Sequence, residues 1–554
     1  MQENSSGTIG SEAIADSLHS AGIDTVFTVA GGHFLPTYNA IGRLGAPAIV
    51  AARHELGAGY MASGYALARG RTGVVFAGAP GPGATNLATP VANAMADSIP
   101  LLVITAQVDR RYSNRNILQH CDNSGLLGQF CKNSVQAVSA SELPNLISTA
   151  LQIAQSGRPG PVHVDLPQNL QAEHSSELEP IPFKALRSPS ADSRDLDRIC
   201  ELLENCRKPA IVAGHGILRS GSAAFLKELA NRIGAPVATS RSGIGCMDSG
   251  DPNSVGMLGF YGTDAARDAI SEADLVIVAG CALGEQTTFG WKKDLFRKEA
   301  VKIQIDIDPV QPNLVYPVDH AVLADTGKVL QELSERAPAR TKWCDLSVTR
   351  HGPANDPERG LSAATVLNSL NSHISDDAIV TADIGNHRLW VCEQLDITRP
   401  ERLIQSCEFD AMGFSLPAAI GASIGEPGTK VVSISGDGGF VHTIGELAVA
   451  RQLGLPVAGI VFVDGALGIL RHQAEALYGE DHFVRLAPID FAKVAEGFGI
   501  DSRTIASESE LDSNIAWAAE SNEPTVLAIE IDSEEVFPPL LSKIAQRRRD
   551  LLRN

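Results

Sequence analysis

Residues 431–468 read VVSISGDGGFVHTIGELAVARQLGLPVAGIVFVDGALG and contain the pattern that decides the fold. The apolar runs at 431–435 and 458–463 have the length of buried strands, and residues 443–454 between them have the periodicity of a helix. A strand, a helix and a second strand in this order are typical of a parallel sheet. The glycine-rich turn GDGG therefore follows the carboxyl end of the first strand.

The same alternation extends along the rest of the chain. Further buried strands are predicted at 73–77, 101–105, 210–213, 275–279 and 303–307. Residues 171–195 and 336–360 are rich in Pro, Ser and charge without sustained periodicity, so they are predicted to be linkers. We therefore expect an α/β protein with three doubly wound parallel-sheet domains, at residues 1–182, 183–345 and 346–554.

A weak internal similarity connects the first and last of these blocks. Residues 62–86 and 418–443 both run from a helix of small residues into a strand and a glycine-rich turn. Any two α/β units could share this pattern by chance. Duplication and coincidence therefore both stay open at the level of sequence.

The bulk composition excludes several classes of protein. The 554 residues carry a net charge of −20, whereas a nucleic-acid-binding surface requires a basic face. The nine cysteines are scattered without a CxxC pair, which indicates reduced thiols and neither a disulfide framework nor a zinc site. The N-terminal segment lacks the apolar core of a signal peptide, and no apolar run approaches the roughly 18 residues that span a bilayer. These features predict a soluble cytoplasmic protein with no nucleic-acid or membrane partner.

The GDGG turn has the chemistry of a phosphate and metal site. Gly436, Gly438 and Gly439 allow the backbone to approach an anion closely, and the N-terminus of the following helix favours negative charge. Asp437 is placed to ligate a hard cation that bridges two phosphates. The alternative interpretation is a tight strand-to-helix turn that binds no ligand.

The next strand end supplies further oxygen ligands. Asp464 follows the run at 458–463, and the carboxyl ends of neighbouring parallel strands lie at one sheet edge. Asp437 and Asp464 are therefore expected to lie close together, with the backbone carbonyl of Ala466 as a third ligand. Oxygen ligands of this kind suit Mg²⁺.

This arrangement resembles the diphosphate motif of thiamine diphosphate-dependent enzymes, in which GDG is followed, after a helix and a strand, by Asn-Asn. In this chain the pair is Val463-Asp464, which keeps an oxygen ligand at the second position but adds a negative charge. The resemblance implies that the protein binds thiamine diphosphate and Mg²⁺. It also implies that Asp437, Asp464 and Ala466 are the metal ligands.

A second segment, ARHELGAGYMASGYALARG at 52–70, resembles a segment of acetolactate synthase-like and benzaldehyde lyase-like members of that family. In those enzymes its glutamate hydrogen-bonds the aminopyrimidine ring of the cofactor and promotes loss of the thiazolium C2 proton. The resemblance implies this catalytic role for Glu55. Taken alone, Glu55 would be interpreted as a charge at a helix N-terminus.

The resemblance covers nearly the whole chain. Residues 26–41 and 78–108 match two more stretches of the first domain, residues 383–390 resemble a diphosphate-side loop, and residues 409–422 place Met412 where an apolar residue supports the cofactor. The implied cofactor contacts are Asn386, His387, Met412, Gly436, Gly438, Gly439, Ala466, Leu467, Gly468 and Ile469. The family architecture implies pyrimidine-binding, central and diphosphate-binding domains in chain order, and a homodimer or homotetramer whose subunits share the active site.

Positions in the first domain bear on the reaction. His33 and Gln119 fall where a benzaldehyde lyase-like pocket has a histidine and a glutamine that face the reactive carbon. The resemblance therefore implies a proton relay at His33 and a hydrogen-bond donor at Gln119, and His120 is a further catalytic candidate. His33 could instead stabilise a turn, and acetolactate synthases also have the glutamine.

Two departures from related enzymes bear on the alternatives. Pyruvate decarboxylase-like enzymes have an acidic residue shortly after the second metal ligand, whereas residues 469–471 are Ile-Leu-Arg. This favours carboligation, or its reversal, over simple decarboxylation. Acetolactate synthases often have Trp near position 473, where this chain has Gln473, so an FAD requirement stays open. The central domain has no GxGxxG sequence and is expected to be structural.

The predicted function is that of a thiamine diphosphate-dependent carboligase or lyase. It would make or cleave C–C bonds next to a carbonyl in small 2-oxo acids or aldehydes, with acyloin or acetolactate-type products. A 2-oxo acid decarboxylase is the alternative. A catalytically silent homologue is disfavoured because Glu55, Asp437 and Met412 are all retained.

Overall fold

Three six-stranded sheets organise the chain, one in each of the predicted blocks. The computed structural model describes residues 8–112, 114–175, 179–184, 186–352 and 359–553. Within each sheet the strands run parallel, and most of the connections between consecutive strands contain a helix. The predicted fold class, α/β with doubly wound parallel sheets, is confirmed.

The first sheet has the strand order β3-β2-β4-β5-β7-β6, and a short antiparallel pair joins β1 to β8. The strands are β1 Thr8–Ile9, β2 Thr25–Val29, β3 Ala48–Ala51, β4 Gly73–Ala77, β5 Leu101–Gln107, β6 Asn133–Gln136, β7 Val162–Pro167 and β8 His174–Ser175. The helices are α1 Gly10–Ser20, α2 Leu35–Leu44, α3 Glu55–Arg69, α4 Gly81–Ala96, α5 Asn123–Leu127 and α6 Leu143–Gln155. Strands β4 and β5 are buried along their whole length, as expected for a sheet with both faces covered.

The middle sheet has the order β11-β10-β9-β12-β13-β14. Its strands are β9 Pro209–Ala213, β10 Val237–Thr239, β11 Ser254–Met257, β12 Leu275–Ala279, β13 Val301–Asp306 and β14 His320–Leu323. Its helices are α7 Ser193–Asn205, α8 His215–Arg219, α9 Ala223–Ile233, α10 Asp264–Glu272 and α11 Thr326–Arg336.

The last sheet has the order β16-β15-β17-β18-β20-β19. Its strands are β15 Ile379–Ala382, β16 Leu403–Gln405, β17 Val431–Gly436, β18 Val457–Val463, β19 Asp501–Ile505 and β20 Thr525–Glu530. The helices are α12 Ala363–His373, α13 Asn386–Gln394, α14 Ser415–Gly425, α15 Asp437–Thr443, α16 Leu447–Leu453, α17 Gly468–Tyr478, α18 Phe491–Gly497, α19 Glu508–Glu520 and α20 Pro538–Arg553. The helix predicted over 443–454 in fact begins at Asp437 and is interrupted by a 3₁₀ turn at Ile444–Glu446.

The first and last sheets have the same strand order relative to the chain. In the first sheet β3 lies on one side of β2 and β4 lies on the other. In the last sheet β16 and β17 flank β15 in the same way. Helix α3 precedes β4 and helix α14 precedes β17, and these strands occupy equivalent places. The internal similarity between residues 62–86 and 418–443 therefore has a structural counterpart.

Residue contacts divide the chain into two compact units. One comprises Met1–Arg187, Glu408–Val431 and Val441–Val457. The other comprises Ser188–Cys407, Val432–Phe440 and Ala458–Asn554. The domain boundaries after residues 182 and 345 stay predictions, and the parts of the predicted linkers at 176–178, 185 and 353–358 lie outside the described residues. No helix in the described part of the chain is both long and apolar enough to cross a membrane.

The strand order creates a topological switch point in the first and last sheets. The chain leaves β2 and β4 in opposite directions, and it does the same at β15 and β17. In open parallel sheets the loops at the carboxyl ends of two such strands diverge, and ligands bind in the crevice between them. A ligand-binding site is therefore expected at the loops after β2, β4, β15 and β17.

Helices α3 and α14, which both belong to the first compact unit, pack with their backbones in contact. A methyl group on Gly64 would lie 2.0 Å from the carbonyl oxygen of Ala418, and one on Gly421 would lie 1.9 Å from that of Met61. The contact is reciprocal, since each helix supplies one glycine and one facing carbonyl. Next to it, the rings of Tyr60 and Phe414 pack edge to face at 5.2 Å.

We expect Gly421→Ala to lower the thermal unfolding midpoint, because the added methyl group must push the two helices apart. Overpacking of this kind costs about 1–3 kcal/mol. Gly42→Ala in α2 is the matched control, because nothing lies within 4 Å of that position and alanine favours a helix. Differential scanning calorimetry of both variants provides the measurement. Equal midpoints for Gly421→Ala and the wild type would contradict the close packing.

Candidate active site

Glu55 lies at the start of helix α3 in the first compact unit and is largely buried, with 7% of its surface exposed. His54 caps this helix, and its ring nitrogen Nδ1 accepts the Leu56 N–H at 3.0 Å. The side-chain amide of Asn86, on helix α4, donates to Oε2 of Glu55 at 2.9 Å. A buried side chain at a helix start is thus oriented by a neutral amide, and Asn86 joins the candidate residues although the sequence analysis did not single it out.

His33 lies at the first switch point, in a short 3₁₀ turn at Gly32–Phe34 after β2. Its carbonyl oxygen accepts the Gln171 amide at 2.7 Å, which fixes the turn. Partial burial lowers the pKa of His33, so the imidazole is neutral at neutral pH. A methyl group on Gly31 would lie 2.2 Å from the Gly78 backbone, so the loops after β2 and β4 touch here.

Gln119 lies in an exposed loop and has a positive φ of 64°. Its carbonyl oxygen accepts the Gly81 N–H, at the start of α4, at 2.8 Å. The Gln107 amide, at the end of β5, donates to the Cys121 carbonyl at 2.8 Å and holds the same loop. The backbone of Gln119 thus lies at the N-terminus of the helix that carries Asn86.

The structure brings the predicted first-domain residues into neighbouring loops without joining their side chains. Glu55 reaches α4 through Asn86, Gln119 reaches α4 through its backbone, and His33 adjoins the loop that leads into α4. His120 is exposed, and its backbone N–H donates to the Ile117 carbonyl at 3.4 Å. Its catalytic role stays a prediction.

Asp437 and Asp464 lie in the second compact unit and follow β17 and β18. Both carboxylates accept hydrogen bonds from backbone N–H groups. Asp437 accepts the Gly438 N–H at 2.7 Å through Oδ1 and the Gly465 N–H at 2.8 Å through Oδ2. Asp464 accepts the Ala466 N–H at 3.1 Å. The carboxyl ends of two adjacent strands therefore place two carboxylates together, as the sequence predicts.

The electrostatics of this pair favour a cation. Burial raises the pKa of Asp437. Burial and then the charge of Asp437 raise the pKa of Asp464 to about 7. Two desolvated carboxylates destabilise each other's charge, and a divalent ion with oxygen ligands relieves that repulsion. In the described part of the chain no three His, Cys, Asp or Glu side chains form a metal site, so carbonyl and phosphate oxygens would complete the coordination.

The loop after Asp464 is held by a short antiparallel pairing. The Leu467 N–H donates to the Val484 carbonyl, and the Leu486 N–H donates to the Gly465 carbonyl, both at 2.8 Å. Ala466 faces Arg485 in this bridge without exchanging ladder hydrogen bonds with it. Its carbonyl therefore takes no part in the pairing and could serve as the third metal ligand.

Asn386 and His387 begin helix α13 at the second switch point, and both have buried polar atoms without a hydrogen-bond partner. These atoms are Oδ1 of Asn386 and Nε2 of His387. The Asn386 amide donates to the Glu535 carbonyl at 3.3 Å. Burial, and then the charge of Arg388, lower the pKa of His387 to about 3, so its ring is neutral. Orphaned polar atoms on two adjacent residues indicate a place where a polar ligand binds.

Glycines keep this crevice open. A methyl group on Gly436 would lie 3.1 Å from Nδ1 of His387, and one on Gly439 would lie 3.0 Å from Cγ of Asp383. A methyl group on Gly468 would lie 2.3 Å from Oδ2 of Asp464. Gly438 and Ile469 lie in the first turns of α15 and α17. These residues line one crevice, and their contacts to a phosphate and a cation stay predictions. Asp383 borders the crevice and lies in the stretch 383–390 that resembles a diphosphate-side loop, although the sequence analysis assigned it no role.

Met412 lies in the first compact unit, half-buried before Gly413. Gly413 has a φ of 84°, and its carbonyl accepts the Thr443 hydroxyl at 3.1 Å. A methyl group on Gly413 would lie 2.8 Å from Cβ of His442. The backbone before α14 is therefore fixed, whereas the predicted cofactor contact of Met412 stays a prediction.

Comparison with known proteins identifies the class. Models of the thiamine pyrophosphate enzyme family match the chain in order: the N-terminal TPP binding domain at residues 9–126, the central domain at 196–333 and the C-terminal TPP binding domain at 383–529. The chain therefore belongs to the family of thiamine pyrophosphate, or thiamine diphosphate, enzymes. The family resemblance inferred from the sequence is confirmed.

Within that family the chain is similar to large and catalytic subunits of acetolactate synthases. It is 32% identical to the acetolactate synthase isozyme 1 large subunit of Escherichia coli, over 96% of this chain and 95% of that one. It is 34% identical to the probable acetolactate synthase large subunit of Methanocaldococcus jannaschii, over 96% and 93%. It is 32% identical to the mitochondrial acetolactate synthase catalytic subunit of Saccharomyces cerevisiae, over 97% and 82%.

We expect Asp437→Ala to abolish retention of thiamine diphosphate with Mg²⁺, and Asp464→Asn to retain it. Asparagine keeps the oxygen that accepts the Ala466 N–H, and it removes the charge that Asp437 repels. Isothermal titration of both variants with the cofactor and Mg²⁺ measures the difference. A loss of Mg²⁺ affinity in Asp464→Asn of more than about tenfold, roughly 1.4 kcal/mol, would mean that position 464 needs its charge.

Proposed function

We propose that this protein is a thiamine diphosphate-dependent carboligase of the acetolactate synthase type. A 2-oxo acid would lose CO2, and its acyl group would be joined to the carbonyl carbon of a second small 2-oxo acid or an aldehyde. The observation that carries the proposal is the similarity over 96% of the chain to relatives of that name, together with Glu55, Asp437 and Asp464 at the sheet edges.

The residues described above have the chemistry to hold the cofactor. Asp437, Asp464 and the Ala466 carbonyl would hold Mg²⁺, and Asn386 and His387 would contact the diphosphate. Leu467, Gly468 and Ile469 would line the same site, and Met412 would support the cofactor. When bound, thiamine diphosphate supplies an electron sink for making or breaking the bond next to a carbonyl.

Glu55 would provide the acid–base group for the cofactor ring. Asn86 engages its Oε2, and the lack of a side chain at Gly83 leaves space beside Oε1. A positioned carboxylate can hold a proton at a ring nitrogen and release it again, as general acid–base catalysis requires.

His33 and Gln119 would act on the accepting carbonyl. Its oxygen takes up one proton as the new C–C bond forms, while CO2 leaves the donor. The imidazole of His33, whose pKa is lowered by burial, is neutral and can relay that proton. The Gln119 amide can donate a hydrogen bond to the same oxygen.

Oxidation states balance in this reaction, so the proposal needs no FAD. The alternative, a 2-oxo acid decarboxylase, would release an aldehyde after the loss of CO2. The shared homodimer or homotetramer site implied by the family resemblance remains part of the proposal.

We expect purified protein with thiamine diphosphate and Mg²⁺ to convert pyruvate into acetolactate and CO2. Glu55→Gln should bind the cofactor but lose most turnover, because glutamine cannot exchange the proton. Products are identified by ¹³C NMR from labelled pyruvate, alone and with benzoylformate or benzaldehyde. Acetaldehyde as the sole product would favour the decarboxylase, and full turnover by Glu55→Gln would remove Glu55 from the mechanism.

We expect His33→Ala to slow product formation by at least about tenfold, since a positioned general acid contributes typically 10²–10⁴ in rate. Exchange of the cofactor C2 proton, which depends on Glu55, should continue. Turnover and deuterium exchange are measured on the same preparation. Wild-type turnover in His33→Ala would leave His33 as a turn residue.

A further inference from the structure

Glu446 is a buried carboxylate that the mechanism above does not use. It ends the 3₁₀ turn Ile444–Glu446 that precedes α16, and only 1% of its surface is exposed. Glu446 belongs to the first compact unit, as does helix α3. A carboxylate this deeply buried requires strong hydrogen-bond donors.

Its donors are the backbone N–H groups just before Glu55. Oε1 accepts the Arg53 N–H at 3.2 Å and the His54 N–H at 3.0 Å, and Oε2 lies 3.1 Å from the Arg53 nitrogen. The start of a helix carries unpaired N–H groups and a partial positive charge, and a carboxylate satisfies both. Glu446 therefore clamps the segment whose next residue is Glu55.

The helix is shaped to receive this carboxylate. A methyl group on Gly57 would lie 2.1 Å from Oε1 and 2.5 Å from Cδ of Glu446. Glycine at the third position of α3 thus lets the carboxylate approach the helix surface. Glycine destabilises a helix by roughly 1 kcal/mol relative to alanine. At position 57 the chain therefore has a residue that weakens the helix but makes room for the Glu446 carboxylate.

The Arg53 side chain holds the same segment from another direction. Its guanidinium donates to the Ala51 carbonyl at 2.6 Å and to the Gln452 side chain at 2.9 Å. Burial raises the pKa of Glu446, while the N–H groups of Arg53 and His54 oppose that shift by favouring the ionised form. Backbone and side-chain contacts together leave the strand-to-helix connection little freedom.

We propose that Glu446 is a positioning residue for Glu55: by accepting the N–H groups of Arg53 and His54 it fixes where helix α3 begins and thereby where the Glu55 carboxylate lies. The inference rests on the role proposed for Glu55. Displacement of a catalytic group by about 1 Å can cost on the order of 100-fold in rate. A residue without any contact to substrate would then control the reaction.

The test compares Glu446→Ala, Glu446→Gln and Gly57→Ala with the wild type. Glutamine keeps an Oε1 acceptor for both N–H groups, alanine removes it, and the methyl group at position 57 displaces the carboxylate. Amide hydrogen exchange of the cofactor-free protein, followed over residues 52–60, should be at least about tenfold faster in the two alanine variants and near the wild-type rate in Glu446→Gln.

The second readout is deuterium exchange at C2 of bound thiamine diphosphate. We expect it to slow by at least about tenfold in Glu446→Ala and Gly57→Ala, with cofactor affinity within about threefold of the wild type. Glu142→Ala is the matched control, because Glu142 also accepts backbone N–H groups before a helix, α6, that carries no candidate site residue. That variant should exchange at the wild-type rate.

Wild-type amide and C2 exchange in Glu446→Ala would overturn the inference. Equal slowing in Glu446→Gln and Glu446→Ala would overturn it as well, because the acceptor oxygen would then not matter. Glu55→Gln serves as the reference in the same assay. Normal C2 exchange in Glu55→Gln would instead refute the proposed role of Glu55, so the two failures are distinguishable.

Discussion

The backbone contact between helices α3 and α14 is the constraint on which much of the first compact unit depends. Two glycines, Gly64 and Gly421, let each helix touch a carbonyl of the other, and no larger residue fits at either place. Because packed interiors do not deform easily, the contact fixes the position of both helices. Helix α3 begins with Glu55, and helix α14 follows the segment that carries Met412 and Gly413.

Glycines also determine how closely the loops at the sheet edges approach one another. Gly31 and Gly78 bring two loops into contact beside His33, and Gly436, Gly439 and Gly468 keep a crevice open beside buried polar groups. The groups around that crevice are unfavourable without a ligand: two adjacent carboxylates and two orphaned polar atoms. Polar atoms buried without partners cost stability, so their retention is consistent with a binding site.

Candidate site residues that a local sequence motif marks could be predicted, whereas residues whose contacts depend on distant parts of the chain could not. The GDGG turn and Asp464 lie at the ends of predicted strands, where local patterning already suggests a role, and Glu55 was singled out by the family resemblance of residues 52–70. Asn86, Asp383 and Glu446 were assigned no role, although Asp383 lies in the stretch 383–390 that resembles a diphosphate-side loop. The Glu446 carboxylate meets the N–H groups of Arg53 and His54 across 393 and 392 positions, and no local pattern indicates such a pairing.

The sequence by itself determined the class of fold, because short, fully apolar strands that alternate with helices are typical of parallel sheets covered by helices on both faces. It also predicted the residue types of the candidate metal and phosphate site, since carboxylate oxygens can bind a hard cation and glycines let the backbone approach an anion. The tertiary structure decided the strand order, the switch points and which carboxylate holds which loop. The physical reason is that hydrogen bonds and close contacts between distant segments depend on ångström-scale distances, whereas patterning records only which residues are buried.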